Sequence, residues 1–288
     1  MKFIVLVVLS FLFTDLQAVE DTFHSQYLSW VAEYKNSKVP PVYCPACLTN
    51  AERKSNAKIF ATYSQDERDA VVLVNLYTQD MGGDSSKQIY RNLNAQLREG
   101  NPKSLINNFA NLLNKAISIL SSKSKVDCYN RVFRGMKCCD EINTNKNIHI
   151  FPEFLSTSRE VSKAFQFGFC DGVCQVLVVF RNVPVSHGLS ISAYSAFLEE
   201  DEVLLKSNTR LHISKNYNVT ATPGDEQKIQ TELKNINFPL DGKVKVFIEG
   251  YPDAAVKAKC ASISSGTVLS ASWAFLAITF FPASFIGQ

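Results

Sequence analysis

Residues 191–205 read I-S-A-Y-S-A-F-L-E-E-D-E-V-L-L. Four acids, Glu199, Glu200, Asp201 and Glu202, run straight into Val203, Leu204 and Leu205. That apolar run reads as the start of a buried strand. The carboxylates therefore fall at a strand edge, where the chain leaves a loop. Alternation along an extended backbone puts Glu200 and Glu202 on one face. Two carboxylates side by side repel, so such a pair either holds a proton or binds a cationic group. It suits a site where positive charge develops on a substrate. Taken alone, the stretch reads as a solvated acidic turn before a strand; the rest of the chain changes that reading.

Upstream of the acids, the first half reads helical. Ser64-Gln65-Asp66-Glu67 forms a capping box, followed by Ala70, Val71, Leu73, Val74 and Tyr77 at helical spacing. Gly82-Gly83-Asp84 breaks that helix. A second helix is predicted over 86–98 and a third over 105–120, each with one apolar face. From there on strands dominate, over 129–133, 176–180, 202–205, 211–213 and 244–248, with Asp241-Gly242 as a turn before the last. Helices first and strands later predict an α+β fold, a helical N-terminal half packed on a mixed β-sheet core in a single domain.

The ends read as processing signals. Met1-Lys2, the apolar run from Phe3 to Phe13 and Leu16-Gln17-Ala18 describe a secretory signal peptide over 1–18. Residues 261–288 pair a run of mostly small residues, Ala261 to Gly266, with a terminal apolar tail from Trp273 to Ile286. That is the pattern of a glycosylphosphatidylinositol-anchor signal; a retained membrane helix is the rival, and Pro282 inside a short tail speaks against it. The domain itself is predicted over 19–260. These ends predict a secreted or surface-anchored protein, held to a lipid membrane through the anchor. Eight cysteines fit an oxidising compartment and read as disulfides of undetermined pairing. Cys44 and Cys47 alone lack the second pair a zinc site needs, and no metal is expected. Asn218-Val219-Thr220 is a glycosylation sequon and predicts a surface position. The net charge of +3 comes without basic blocks, so no nucleic acid partner is expected. No Gly-rich phosphate-binding loop of the Rossmann or P-loop kind occurs.

Three further places could carry chemistry. Arg134 ends a short apolar strand and is followed by Gly135, which suits close approach of a phosphate or carboxylate; an ordinary surface arginine before a turn reads the same way. Thr157 and Glu160 form a second capping box, opening a helix that includes Val161, Ala164 and Phe165. Ser156 is left unexplained by capping, and its hydroxyl could orient a nearby carboxylate. Phe169, in a loop past Gly168, offers a ring face for a flat ligand or serves as a buried loop anchor.

In this order, Phe133-Arg134-Gly135, Ser156-Thr157-Ser158 and Ser192-x-x-Ser195-x-Phe197-x-x-Glu200-x-Glu202-Val203-Leu204 resemble the arginine-specific ecto-ADP-ribosyltransferases. That family carries an Arg, a Ser-x-Ser and a Glu-x-Glu in sequence. Leu76-Tyr77-Thr78 and Ile89-Tyr90-Arg91-Asn92-Leu93-Asn94 look like its helices. Cys138-Cys139, and Cys170 with Cys174 around the stacking loop, depart from its pattern.

The resemblance implies an ADP-ribosyltransferase-like fold and transfer of ADP-ribose from NAD to a protein arginine acceptor, with release of nicotinamide. By the same resemblance Arg134, with Gly135 beside it, holds the phosphate and ribose region of NAD. Ser156 positions the nicotinamide ribose and the catalytic acid, Glu202 is that acid, Glu200 orients the acceptor guanidinium and takes its proton, and Phe169 stacks on nicotinamide. The Glu-Val-Leu register selects Glu202 over the one-residue shift that Glu199 permits. The physics agrees: loss of nicotinamide leaves positive charge on the ribose, which a fixed carboxylate stabilises in a site with little water. A guanidinium is protonated at neutral pH and needs a carboxylate partner before it can act as a nucleophile. Two other functions fit the same residues, an NAD glycohydrolase with water as acceptor and a non-catalytic surface recognition protein.

Overall fold

A computed structural model describes residues 22–37, 44–79, 89–136, 146–167, 175–196, 201–238 and 244–252. The helical half begins with α1 (Phe23–Asn36) and α2 (Pro45–Ser55), a 3-10 turn at Lys58–Phe60, then α3 (Gln65–Thr78), α4 (Ile89–Glu99) and α5 (Ser104–Ser121). The Ser64 capping box is formed: the Glu67 amide donates to Ser64 Oγ at 3.3 Å and the Ser64 amide to Glu67 Oε2 at 2.8 Å. α3 is buried nearly all round from Asp69 to Thr78, so its neighbours rather than an amphipathic stripe decide its position. α1 and α2 go beyond the three helices read from the sequence. Cys44, which caps α2, is joined to Cys47 by a disulfide.

The second half supplies β1 (Cys128–Met136), β2 (Ile148–Phe151), β3 (Leu155–Ser158), α6 (Val161–Phe167), β4 (Gln175–Pro184), β5 (Gly188–Ser190), β6 (Glu202–Leu205), β7 (Thr209–Asn218), α7 (Asp225–Asn235) and β8 (Val244–Tyr251). The strands form one mixed sheet in the order β2-β7-β8-β4-β1-β3-β6-β5, in which only β4 and β8 run parallel. β6 falls on the predicted residues. β1 does not stop before Arg134 as expected: it continues to Met136 because Arg134, Gly135 and Met136 stay paired with Val178, Leu177 and Val176 of β4. The sequon segment lies where expected, with Thr220 exposed just after β7.

β1 follows β4 along its length but meets β3 through a single residue pair, Phe133 with Ser158. The sheet therefore divides there. Leu155 of β3 and Val203 and Leu205 of β6 pack in one cluster with Val132, Val178 and Ile248 of the other half, so the two halves share a core. The opposite face of β6 is turned to the helices. Leu204 joins Leu73, Leu76, Leu113 and Phe154 in the helical core. A third cluster, around Phe133, Leu177 and Phe247, receives Ile229 and Leu233 of α7. Among the described residues no helix is long and apolar enough to cross a membrane.

Candidate active site

The split between the sheet halves brings three of the sequence-predicted residues together. Arg134 shares its strand face with Val132 and Met136, which point at the other half. Its guanidinium reaches across the split, and Nη1 donates to the Ser156 carbonyl at 2.9 Å. Glu202 is the first residue of β6 and pairs with Ser158. Ser156 lies two residues away on the same face of β3, which makes it the diagonal neighbour of Glu202. Both share the strand face of residues packed on the helices, Phe154 and Leu204. Glu202 is only 7% exposed, so its carboxylate is withdrawn from bulk water. Gly135 is buried beside Arg134 and pairs with Leu177.

Tyr77, at the end of α3, closes the helical side of this site. Its hydroxyl has an affinity for its proton far above the ordinary tyrosine range, first because it is buried and second because the Glu202 carboxylate lies close. The Asn94 hydrogen bond, the Arg134 charge and the Ser156 side chain pull in the opposite direction. Tyr77 is thus a neutral hydroxyl that feels all three predicted site residues. Asn94 Nδ2 donates to it at 3.2 Å and to the Phe154 carbonyl at 3.1 Å, while Asn94 Oδ1 accepts from the Phe154 amide at 3.1 Å. This buried amide clips the start of β3 to α4, two residues before Ser156.

The loop ahead of the acids is tied down in the same way. Asn75 Nδ2 donates to the Tyr194 carbonyl at 2.8 Å, and the Ala196 amide donates to Thr78 Oγ1 at 2.9 Å. The Tyr194 ring stacks on Phe60 with centroids 5.8 Å apart. Asp201, between the two glutamates of the motif, has its own partner. Arg159 grips it with Nε at 2.9 and 3.0 Å from the two carboxylate oxygens and with Nη2, and the Arg159 amide donates to its carbonyl. The acidic run is therefore divided by face: Asp201 is neutralised by Arg159, and Glu202 is turned inward. Glu199, Glu200 and Phe169 lie outside the described residues, as do Cys138, Cys139, Cys170, Cys174, Cys260 and both terminal signals.

The second capping box does not form. Thr157 Oγ1 donates across the sheet to the Val203 carbonyl at 2.6 Å, and Ser158 Oγ accepts from the Glu160 amide at 3.0 Å. Pairing of β3 with β6 holds Thr157 in a strand, so the hydroxyl one residue later serves the turn into α6. Sequence reasoning also gave no individual role to Asn75, Thr78 or Asn94. A signal existed for Asn75 and Thr78, polar side chains in an apolar helical run, since a buried polar group needs a partner; Asn94 sits among polar neighbours in α4 and carries no such signal.

Solved structures share this architecture. Over 81% of this chain and 87% of theirs, two crystal structures of the eukaryotic mono-ADP-ribosyltransferase ART2.2 superpose at 18% identity. The TM-scores are 0.52 for one and 0.53 for a mutant in complex with NADH. Exoenzyme S from Pseudomonas aeruginosa also matches, at 18% identity and a TM-score of 0.45 over 72% of this chain and 83% of that one. No curated protein matches by sequence. The fold is that of an ADP-ribosyltransferase. The sequence profile of the NAD:arginine ADP-ribosyltransferases matches residues 16–237, and the chain belongs to that family. NAD is accordingly its substrate, and ADP-ribosyl transfer its reaction class.

Proposed function

We propose that the acceptor is an arginine side chain of a protein and that Glu202, Glu200, Ser156 and Arg134 carry the reaction. The observation that supports this most is the buried Glu202 carboxylate beside Ser158, with Arg134 bonded to Ser156 across the sheet split. Arg134 offers a fixed guanidinium to the diphosphate and ribose of NAD. Glu202 stabilises the positive ribose as the bond from its anomeric carbon to nicotinamide breaks and nicotinamide leaves with the electron pair. An arginine nitrogen then bonds to that carbon, and its proton passes to Glu200. Gly135 lets the substrate approach closely, and Phe169 stacks on nicotinamide.

The chain is read as travelling the secretory route, glycosylated at Asn218 and held at the cell surface by a lipid anchor. The exposed Thr220 turn supports the glycosylation, since Thr220 Oγ1 donates to Asn218 Oδ1 at 2.6 Å in that sequon. Release of the protein from expressing cells by a phosphatidylinositol-specific phospholipase tests the anchor.

One assay tests the acceptor. The folded protein is incubated with labelled NAD, with and without agmatine as a soluble guanidine. Label on agmatine is the expected result, whereas free ADP-ribose alone points to a glycohydrolase and unchanged NAD to a recognition protein. Glu200→Gln removes transfer and spares part of the hydrolysis; full transfer by that variant would falsify the division of labour between the two glutamates.

A further inference from the structure

The end of β6 remote from Glu202 carries the opposite charge. Lys206 follows the strand directly, roughly 13 Å along it from Glu202 at about 3.3 Å per residue. A cleft of about 330 Å³ opens there, which lies within the roughly 300–1,000 Å³ of small-molecule sites. It is lined by Lys206, by Arg210 and His212 of β7, and by His187 from the turn ahead of β5. Arg210 and His212 stand two residues apart and so share one strand face. The remaining lining residues are Ser207, Asn208, Thr209 and Pro252, so none of the lining is acidic. Among the described residues, Lys206, Arg210 and His212 enter no ion pair.

This is a held surface rather than a loose basic loop. The Lys206 ammonium donates to Ser118 Oγ of α5 at 2.6 Å, and its amide donates to the His187 carbonyl at 3.0 Å. Asn114 of α5 fixes the next residue from both sides, with Nδ2 donating to Ser207 Oγ at 2.7 Å and Oδ1 accepting the Ser207 amide at 3.2 Å. Thr209 Oγ1 closes the reversal on the Lys206 carbonyl at 2.6 Å. Asn208 makes the tight turn with a φ of 60° in the left-handed region that asparagine tolerates. Burial lowers the proton affinity of Lys206, which has no carboxylate to offset it. An ammonium in that position gains from an incoming anion, and a guanidinium beside it grips tetrahedral oxyanions with two parallel bonds.

We propose that this cleft binds a small phosphate-class oxyanion, a phosphate monoester or diphosphate, at a site separate from that of Glu202. The inference stands whether or not arginine is the acceptor. Such an anion could be free or belong to a second molecule of NAD, and the test separates the two. The folded full chain is titrated with inorganic pyrophosphate and, separately, with NAD on the Glu202→Gln variant, by calorimetry at low ionic strength.

Pyrophosphate is expected to bind, and the Lys206→Gln/Arg210→Gln double variant to lose roughly tenfold or more in affinity. Arg134→Lys is expected to leave pyrophosphate affinity intact, and the double variant to turn over NAD at the normal rate. Two NAD molecules bound per chain, falling to one in the double variant, identify the dinucleotide as the source; one in both identifies a free anion. Because Lys206→Gln also gives up the Ser118 bond, Arg210→Glu at an exposed position is the second probe and should weaken pyrophosphate on its own. The proposal fails if the unmodified protein does not bind pyrophosphate. It fails equally if neither Arg210→Glu nor the double variant weakens binding, or if Arg134→Lys abolishes it and so shows the anion in the catalytic site.

Discussion

Glu202 at the start of β6 and Lys206 just past its end lie only four residues apart and solve opposite electrostatic problems. At its start Glu202 is buried beside a strand that carries hydroxyls, with a guanidinium across the split and a neutral tyrosine above it. At its end Lys206 is half-buried against a hydroxyl, with another cation and two histidines nearby and no acid lining the cleft. The acid end holds a carboxylate withdrawn from water, its Oε1 buried, so its charge can act on a developing cation at little reorganisation cost. Among the described residues, Lys206 and Arg210 at the basic end enter no ion pair. On the two proposals above, a carboxylate held this way would serve the making and breaking of bonds, and the open cation cluster the holding of an anion.

The comparison breaks first at Glu202. Glu202→Gln keeps the shape and removes the charge, and should lower NAD turnover by roughly 10²–10³-fold or more, with the circular dichroism spectrum unchanged. A variant retaining most of its activity would move the catalytic charge elsewhere in the acidic run. Arg134→Lys comes next. Lysine keeps the charge but loses the planar fork that reaches Ser156, so kcat/KM for NAD should fall by about ten- to a hundredfold, largely through KM. Steady-state kinetics over a range of NAD concentrations separates the two parameters; a fall in kcat alone would assign Arg134 to the chemical step.

Much of the acid end was legible in the sequence because it is built from local signals. A run of acids against Val203-Leu204-Leu205 announces a strand and its edge without reference to any other element. The Ser64 capping box is local for the same reason. What was not legible depends on contacts between distant residues. Nothing local in Tyr129 to Met136 says that β4 keeps pairing past Phe133, so Arg134 reads as a strand end and turns out to be mid-strand. Thr157 reads as a helix cap until pairing with β6 claims its hydroxyl for Val203. The Arg159 grip on Asp201 spans 42 positions and is invisible from either residue alone. The basic cleft is assembled from the turn ahead of β5, the end of β6 and β7, and no one of these is basic enough to attract notice.

Asn94→Ala tests how far the acid end depends on its frame. The change leaves the Phe154 amide and carbonyl without their buried partner, which should cost about 2–3 kcal/mol in urea unfolding. It also frees the start of β3, so Ser156 loses its setting and kcat should fall even well below the unfolding transition, since small misplacements in an active site are costly. Reduced stability with unchanged kcat at low temperature would make Asn94 purely structural.

The smallest effect sharpens the other end. Lys206→Met keeps an unbranched apolar stem, one atom shorter, and removes a partly desolvated charge. The folded-state proton affinity of Lys206 is lowered by burial from the ordinary lysine value of 10.5. The unfolded chain therefore binds more protons than the folded one between the lowered value and 10.5, and there the stability of the unmodified protein rises with pH. The methionine variant lacks this contribution. It also lacks the Ser118 bond, worth about 0.5–1.5 kcal/mol, and that loss does not change sign with pH. The difference in unfolding free energy between the two proteins should thus shift in favour of the unmodified chain as pH climbs from neutrality toward 10, while NAD turnover at neutral pH stays the same. A difference that is flat across that range would mean that the ammonium is as well solvated in the fold as out of it, and the contrast between the two ends of β6 would then rest on geometry and not on burial.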